Sequence, residues 1–355
     1  MISFARGAPA PECLDAELLA DCARAAVEGD AGVLAYGAGG GYGPLREWLG
    51  ARHGVDAGRV VVTNGGLQGF VFYAEELLGE RPGRILVEAP TYDRPLKILA
   101  RLGADVVPVE LDEEGLDPDA LERALDAGET SFLYTIPTFQ NPSGRTLSIE
   151  RRRRVVELAQ ARGVPVLEDD PYGLVRYEGE PPPSLHELEG GRLVTYASSF
   201  SKTVAPGLRV GWFTAPAELA ARLEARAVSN YISPPFLSQA TVFELIDRGA
   251  FEPNLERIKG LLRTRRDAML EALERELAGA GTWSEPEGGY FLWVDLPGDA
   301  ADLLERAETA GVSFVKGSDF FPDGTGARSA RLAFSYASPS EIGSGVSTLG
   351  SLLRA

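Results

Sequence analysis

From Arg59 onward, short runs of apolar and β-branched residues alternate with segments whose apolar positions recur at three- and four-residue spacing. The runs are RVVVTN, RILVEAP, DVVPVEL, SFLYTIP, VPVLEDDP, LVTYASS and RVGWFTAP. LQGFVFYAEELLG and SIERRRRVVELAQARG, lying between them, carry the helical spacing. Strands alternating with helices predict an α/β fold: a large domain with a mostly parallel seven-stranded sheet flanked by helices. Beyond Asn254 the pattern changes. A long helical stretch to Ala278 is followed by GGYFLWVDLP, VSFVKG and ARLAFSYAS as strands, with helices such as DAADLLERAETAG. That predicts a second, smaller α+β domain. Ahead of Arg59 lie an extended arm, a helix over about Leu14–Glu28 and the glycine-rich GAGGGYG. The expected division is an N-terminal arm (1–45) packing with the small domain, a large domain (46–264) and a small domain (265–355).

Composition narrows the classes. No apolar run approaches the ~20 residues of a membrane span, and the N-terminus lacks the pattern of a secretory leader. The formal charge is −17, from 35 basic and 52 acidic residues. A surface for nucleic acid needs clustered Lys and Arg, so no nucleic-acid partner and no membrane partner is expected. The only cysteines are Cys13 and Cys22, and the only histidines are His53 and His186. They make neither a disulfide framework nor a metal-ligand spacing; no metal site is expected, and a cytoplasmic location fits. The four lysines are Lys97, Lys202, Lys259 and Lys316, so each merits a reason.

Several motifs fail on context. GAGGGYG follows no strand and lacks the dinucleotide-loop spacing. There is no Gly-Lys phosphate loop and no G-x-S-x-G elbow. Ser199-Phe200-Ser201-Lys202 matches S-x-x-K, but it leaves a strand instead of opening a helix and has no K-T-G downstream.

The strand ends, taken in order, are more informative. VVVTN runs into Gly65-Gly66-Leu67-Gln68 and a helix, an arrangement that suits an anion. FLYTIP leads to Asn141-Pro142, VPVLEDDPY to Asp169, Asp170 and Tyr172, and LVTYASS to Ser199, Lys202 and then Arg209. Ligands of open α/β sheets bind beyond the carboxyl ends of strands. Pyridoxal 5'-phosphate needs this set: a lysine for a Schiff base, a carboxylate at the pyridinium nitrogen and an anion cradle for the phosphate.

The segments SSFSKTVAPGLRVGW, PTFQNPSGRTLS, LEDDPYG and PEGGYFLWVDLP resemble the fold-type I pyridoxal-phosphate aminotransferases of class I and II. The nearest branch is that of 2-aminoadipate and aromatic aminotransferases and of MocR-type effector domains. The resemblance covers essentially the whole chain. It implies transfer of an amino group from an L-amino acid to a 2-oxo acid by a ping-pong Schiff-base mechanism. Another reaction of the same cofactor, a lyase, cyclase or oxidase, is the alternative. Regulators of the MocR type add an N-terminal DNA-binding domain, which is not expected here because the chain begins at the arm.

By resemblance, Lys202 would carry the cofactor and shuttle the proton at the substrate Cα. Asp169 would pair with the pyridinium nitrogen, in D-x-x-Y register with Tyr172. Asn141 and Tyr172 would hydrogen-bond the ring hydroxyl. Ser199, Arg209, Gly66, Leu67 and Gln68 would hold the phosphate, and Tyr92 would stack on the ring. Arg331 would clamp the substrate α-carboxylate, with Asn141 and the backbone of Gly7 nearby. Tyr36 would reach the phosphate of a neighbouring subunit, which implies a homodimer with composite sites. Three positions depart from the family pattern: Gly66 replaces a usual Ser or Thr, Arg94 a usual Gly, and Ala333 a frequent Asn.

Overall fold

The computed structural model describes residues 1–354. The seven apolar runs form seven strands because each presents apolar side chains to both faces of the sheet. Along Thr130–Thr135, Phe132 and Tyr134 enter one core, while Leu133 enters the other. Such two-sided burial is what a helix-flanked parallel sheet requires. Helices Gly66–Glu80 and Ala217–Tyr231 supply the first core with Phe70, Tyr73, Leu219 and Leu223. Pro118–Asp126 and Ile149–Arg162 supply the second with Leu121, Val155 and Leu158.

In spatial order the strands are Val60–Thr63, Gly211–Thr214, Val194–Ser199, Val166–Asp169, Thr130–Thr135, Arg84–Ala89, Val106–Asp112 and Gly115–Leu116. The last, two residues long, is an addition to the expected seven; it folds back as a hairpin onto Val106–Asp112. The five central strands from Val194–Ser199 to Val106–Asp112 are parallel. Gly211–Thr214 runs antiparallel to both its neighbours. Val60–Thr63 therefore points the same way as the parallel set, and the residues just before Gly211 lie at that set's carboxyl edge. The chain moves outward from Arg84–Ala89 to Val106–Asp112, then returns to Thr130–Thr135 on the other side. The switch point, where such sheets bind ligands, lies between Arg84–Ala89 and Thr130–Thr135.

A second, antiparallel sheet orders Thr282–Trp283, Phe291–Asp295, Ser329–Ala333 and Val315–Lys316. It packs with helices Ala300–Thr309 and Pro339–Arg354 around its own apolar cluster. The arm divides. Ile2–Ser3 pairs with Val312–Ser313, and Phe4 enters the small cluster. Helix Ala16–Gly29 instead packs on Phe236–Asp247 of the large unit. Helix Phe251–Leu277 runs unbroken through the expected boundary at 264/265. Among the described residues, no helix is long and apolar enough to cross a membrane.

Candidate active site

The carboxyl edge of the sheet gathers the expected residues because the strands that carry them are neighbours in register. Asp169 pairs with Ala197, and both Thr63 and Ser199 pair with Gly211. One cleft edge therefore receives Gly66–Gln68, Tyr92, Asn141, Asp169, Ser199, Lys202 and Arg209.

The anion cradle is built from close approaches. Gly65 (φ 85°) precedes helix Gly66–Glu80, whose first turn carries no side-chain cap. The first N–H groups of a helix have no partners within it, so those of Gly66, Leu67 and Gln68 are free to meet an anion. The Gln68 side chain accepts from the Asn64 N–H at 3.0 Å. Arg209, itself at φ 54°, donates from Nη2 to the Asn64 carbonyl at 3.1 Å. A Cβ on Gly65 would stand 2.1 Å from that Nη2, so only glycine lets the guanidinium lie against the helix start. Ser199 Oγ lies 2.7 Å from Ser201 Oγ and 3.2 Å from the Val210 carbonyl, and it accepts from the Ser201 N–H at 3.0 Å. Its hydroxyl is thus tied into the turn, and Ser201 is the second hydroxyl at that position.

Lys202 follows this turn. Its Nζ donates to the Gly7 carbonyl at 2.7 Å and sits 5.1 Å from the ring centre of Tyr290 and 5.6 Å from that of Tyr172. Burial, with the like charge of Arg331, lowers the amine's pKa to about 8, against the opposing pull of Asp169. Tyr290 Oη fixes the lysine's backbone by donating to its carbonyl at 2.9 Å.

The two adjacent aspartates have different tasks. Asp170 accepts from the Gly173 N–H at 2.7 Å and from Tyr196 Oη at 3.0 Å, so both its oxygens are spent on structure. Asp169 accepts from Tyr134 Oη at 2.8 Å. Burial pushes its pKa up to about 6, partly offset by the Tyr134 hydrogen bond. Tyr172 is buried beside Tyr290 and Phe291, which drives its hydroxyl well above the ordinary range. Tyr92 begins the helix Asp93–Arg101; burial, then the charges of Asp93 and Asp169, push its hydroxyl to about 12. Arg94, the next cation, is exposed and lies 3.7 Å from Asp93.

Across the cleft, Arg331 projects from Ser329–Ala333 of the small sheet. Its Nη1 donates to Asn141 Oδ1 at 2.9 Å and its Nη2 to the Ala5 carbonyl at 2.7 Å. Buried Nε has no partner among the described residues. Tyr36 stands apart from all of these and is 81% exposed.

The profile described as aminotransferase class I and II matches residues 8–335. The chain belongs to this family. It is 34% identical to aromatic-amino-acid aminotransferase 1 of Thermococcus litoralis, over 100% of this chain and 88% of that protein. It is 36% identical to 2-aminoadipate transaminase of Thermus thermophilus, over 100% and 90%. A solved α-aminoadipate aminotransferase, also of Thermus thermophilus and complexed with N-(5'-phosphopyridoxyl)-L-leucine, superposes with a TM-score of 0.94 at 35% identity, covering 100% of this chain and 92% of that one.

This aminotransferase is an enzyme that uses pyridoxal phosphate, and its residues fit that cofactor. The Gly65–Arg209 approach leaves a cationic cradle at a helix start. A half-buried carboxylate, a half-buried amine and a buried amide stand along the same edge. Three groups at this edge escaped the sequence reading. Tyr134 lies in a strand buried at every position, so no periodicity marks it. Tyr290 sits in the recognisable PEGGYF segment, and Ser201 in the S-x-S-K segment; both were legible as residues, but not as contacts.

Proposed function

We propose that this aminotransferase takes an L-amino acid and a 2-oxo acid in alternating half-reactions, with Arg331 holding the α-carboxylate of each. The observation that carries this reading is the Arg331 guanidinium. It is buried and bonded to an amide and a carbonyl, and its Nε is unpartnered. A planar cation so placed suits a carboxylate's two oxygens. Asn141, which accepts from Arg331 through Oδ1, keeps its amide N–H groups for the ring hydroxyl of a bound cofactor.

Bound pyridoxal phosphate supplies an electron sink for the substrate's Cα bonds. The chain's own residues do the rest. Lys202 moves the proton at Cα, Asp169 holds the proton on the ring nitrogen, and Tyr172 and Asn141 donate to the ring oxygen. Tyr92 covers the ring. Arg209, Ser199 and the N–H groups of Gly66, Leu67 and Gln68 bind the phosphate. The backbone of Gly7, whose carbonyl accepts from Lys202, would lie near the substrate's carboxylate. The test is an absorbance spectrum of the cofactor-loaded enzyme against a panel of amino acids with no oxo acid present. Conversion to the pyridoxamine form with one side-chain class is expected. A band that shifts without that conversion would overturn transamination in favour of another reaction of the cofactor.

We further propose a homodimer with composite sites. Leu34, Tyr36, Val228 and Ile232 are apolar yet 63, 81, 47 and 53% exposed. Gly37 bonds Ser233, which brings the Tyr36 segment against the end of helix Ala217–Tyr231. Covering this patch with a second copy would deliver Tyr36 to the other cradle. Co-expression of Tyr36→Ala with Lys202→Ala subunits is expected to restore about a quarter of wild-type activity, because half the dimers are mixed and each has one intact site. No restoration would refute shared sites. The working compartment in this reading is the cytoplasm, in keeping with two buried, unpaired cysteines. In this reading the large and small units divide near 264/265, inside helix Phe251–Leu277, the rod that joins them, and the arm serves both.

A further inference from the structure

Glu88 is buried in strand Arg84–Ala89, and nothing in the proposed chemistry uses it. The other carboxylates nearby have clear tasks. Glu168 accepts from the N–H groups of Leu185 and His186, at 3.0 and 2.9 Å, at the start of helix Leu185–Glu189. Asp170 anchors its own loop, and Asp169 faces the cleft.

Glu88 is different because it reaches from the strand that leads into the Tyr92 loop to the end of Thr130–Thr135 and the turn that carries Asn141. Oε1 accepts from Thr135 Oγ1 at 2.5 Å; Oε2 accepts from the Ile136 N–H at 3.1 Å and from Gln140 Nε2 at 3.0 Å. Gln140 Nε2 also donates to the Pro90 carbonyl at 2.7 Å, and Oε1 accepts from the Ser143 N–H at 2.8 Å. The Gln140 backbone closes the same turn, donating to Arg145 at 2.8 Å and accepting from Gly144 at 2.6 Å. Gln140 is therefore the hub of the turn that carries Asn141, and Glu88 with Pro90 binds this hub to the loop that carries Tyr92.

The sheet does not do this by itself. The ladder between Arg84–Ala89 and Thr130–Thr135 ends at Val87↔Tyr134, just short of both loops. This is the switch point, where neighbouring loops diverge. The turn also contains Phe139 at φ 48°, a left-handed conformation for a bulky side chain, which persists only when its surroundings hold it.

We infer that Glu88 is a positioning residue of the cofactor site: through Gln140 it locks the Asn141 turn to the Tyr92 loop. This rests on the roles proposed above for Asn141 and Tyr92. Each group facing the carboxylate can donate, and these bonds offset part of the burial that raises its pKa. A glutamine at this position can keep the tie. Its oxygen would accept from Ile136 and Gln140, and its amide would donate to the Thr135 hydroxyl, which can reverse. An alanine cannot.

The experiment measures the cofactor dissociation constant and bound-cofactor spectrum, together with the melting temperature of the cofactor-free protein. The variants are E88Q, E88A, Q140A, E88A with Q140A, and N141A. E88A and Q140A are each expected to weaken cofactor binding about tenfold, and E88Q to stay within about threefold of wild type. The double variant should be no weaker than the worse single by more than about twofold, since both changes break one tie. Wild-type affinity and spectrum in E88A, with only the melting temperature lowered, would overturn the inference. So would effects of E88A and Q140A that multiply. If E88A does not fold, wild-type affinity in Q140A overturns it. Normal cofactor binding and spectrum in N141A would instead sink the role of Asn141 itself, and Glu88's with it. A damaged N141A beside a normal Q140A would sink this inference alone.

Discussion

Lys202→Ala is expected to lower turnover at least about 10³-fold, while the protein still folds and binds the cofactor without a covalent bond. The lysine is placed for both of its tasks. Its pKa of about 8 leaves protonated and neutral amine populated near neutrality, which suits a group that must take and return a proton. Only the neutral amine has a lone pair for the cofactor, so the rate of cofactor capture by the wild type should climb through pH 8 and level off above it. A linked stability effect has the opposite origin. The amine's pKa in the fold lies below its ordinary value, so burying the charged form costs stability. That cost is present in full below pH 8 and is relieved as pH rises from 8 toward 10. The cofactor-free alanine variant should therefore melt above wild type at pH 7, with the gap closing at pH 10. Turnover by Lys202→Ala above a tenth of wild type would sink the assignment.

The fold was legible because a parallel sheet buried on both faces needs runs of apolar residues, and the seven runs read from the chain are the seven long strands. Gly115–Leu116 was not legible, because two residues after Asp112-Glu113-Glu114 look like a turn and pair only through their neighbour. The sequence presents the arm as one piece. Phe4 and Leu18 are both apolar, and nothing local shows that the first enters the small cluster and the second the large unit. Site residues were legible where chemistry demands a rare type at a strand end, as with Lys202 among four lysines. Supporting groups were not. Tyr134 and Glu88 sit in strands whose other members are core, and only the pairing of strands far apart in sequence gives them partners. Arg331 lies on the second sheet, and its meeting with Asn141 depends on how the two units face each other.

Asp169→Ala is expected to lose at least about 10² in turnover, because a proton held on the ring nitrogen is what lets the ring accept electrons. Asp169→Asn separates that role from stability. Burial raises the Asp169 pKa to about 6, above its ordinary value. Its stabilising contribution therefore belongs to the protonated form and is lost as pH rises through 6. At pH 8 the cofactor-free wild type bears a cost of about 3 kcal/mol for this charge. The asparagine variant keeps an oxygen for Tyr134 and removes the charge. It should melt at or above wild type at pH 8, converge with it near pH 4, and still fail at turnover. Asp170→Asn should leave turnover largely in place, because its oxygen can still accept from Gly173 and its amide can donate to the Tyr196 hydroxyl; Asp170→Ala, which removes both acceptors, should lower the melting temperature. A full loss of turnover in Asp170→Asn together with an active Asp169→Asn would place the ring's partner at the wrong carboxylate. The adjacent pair distinguishes the assignments because one aspartate has both oxygens bound by its own fold and the other has one oxygen left for the ring.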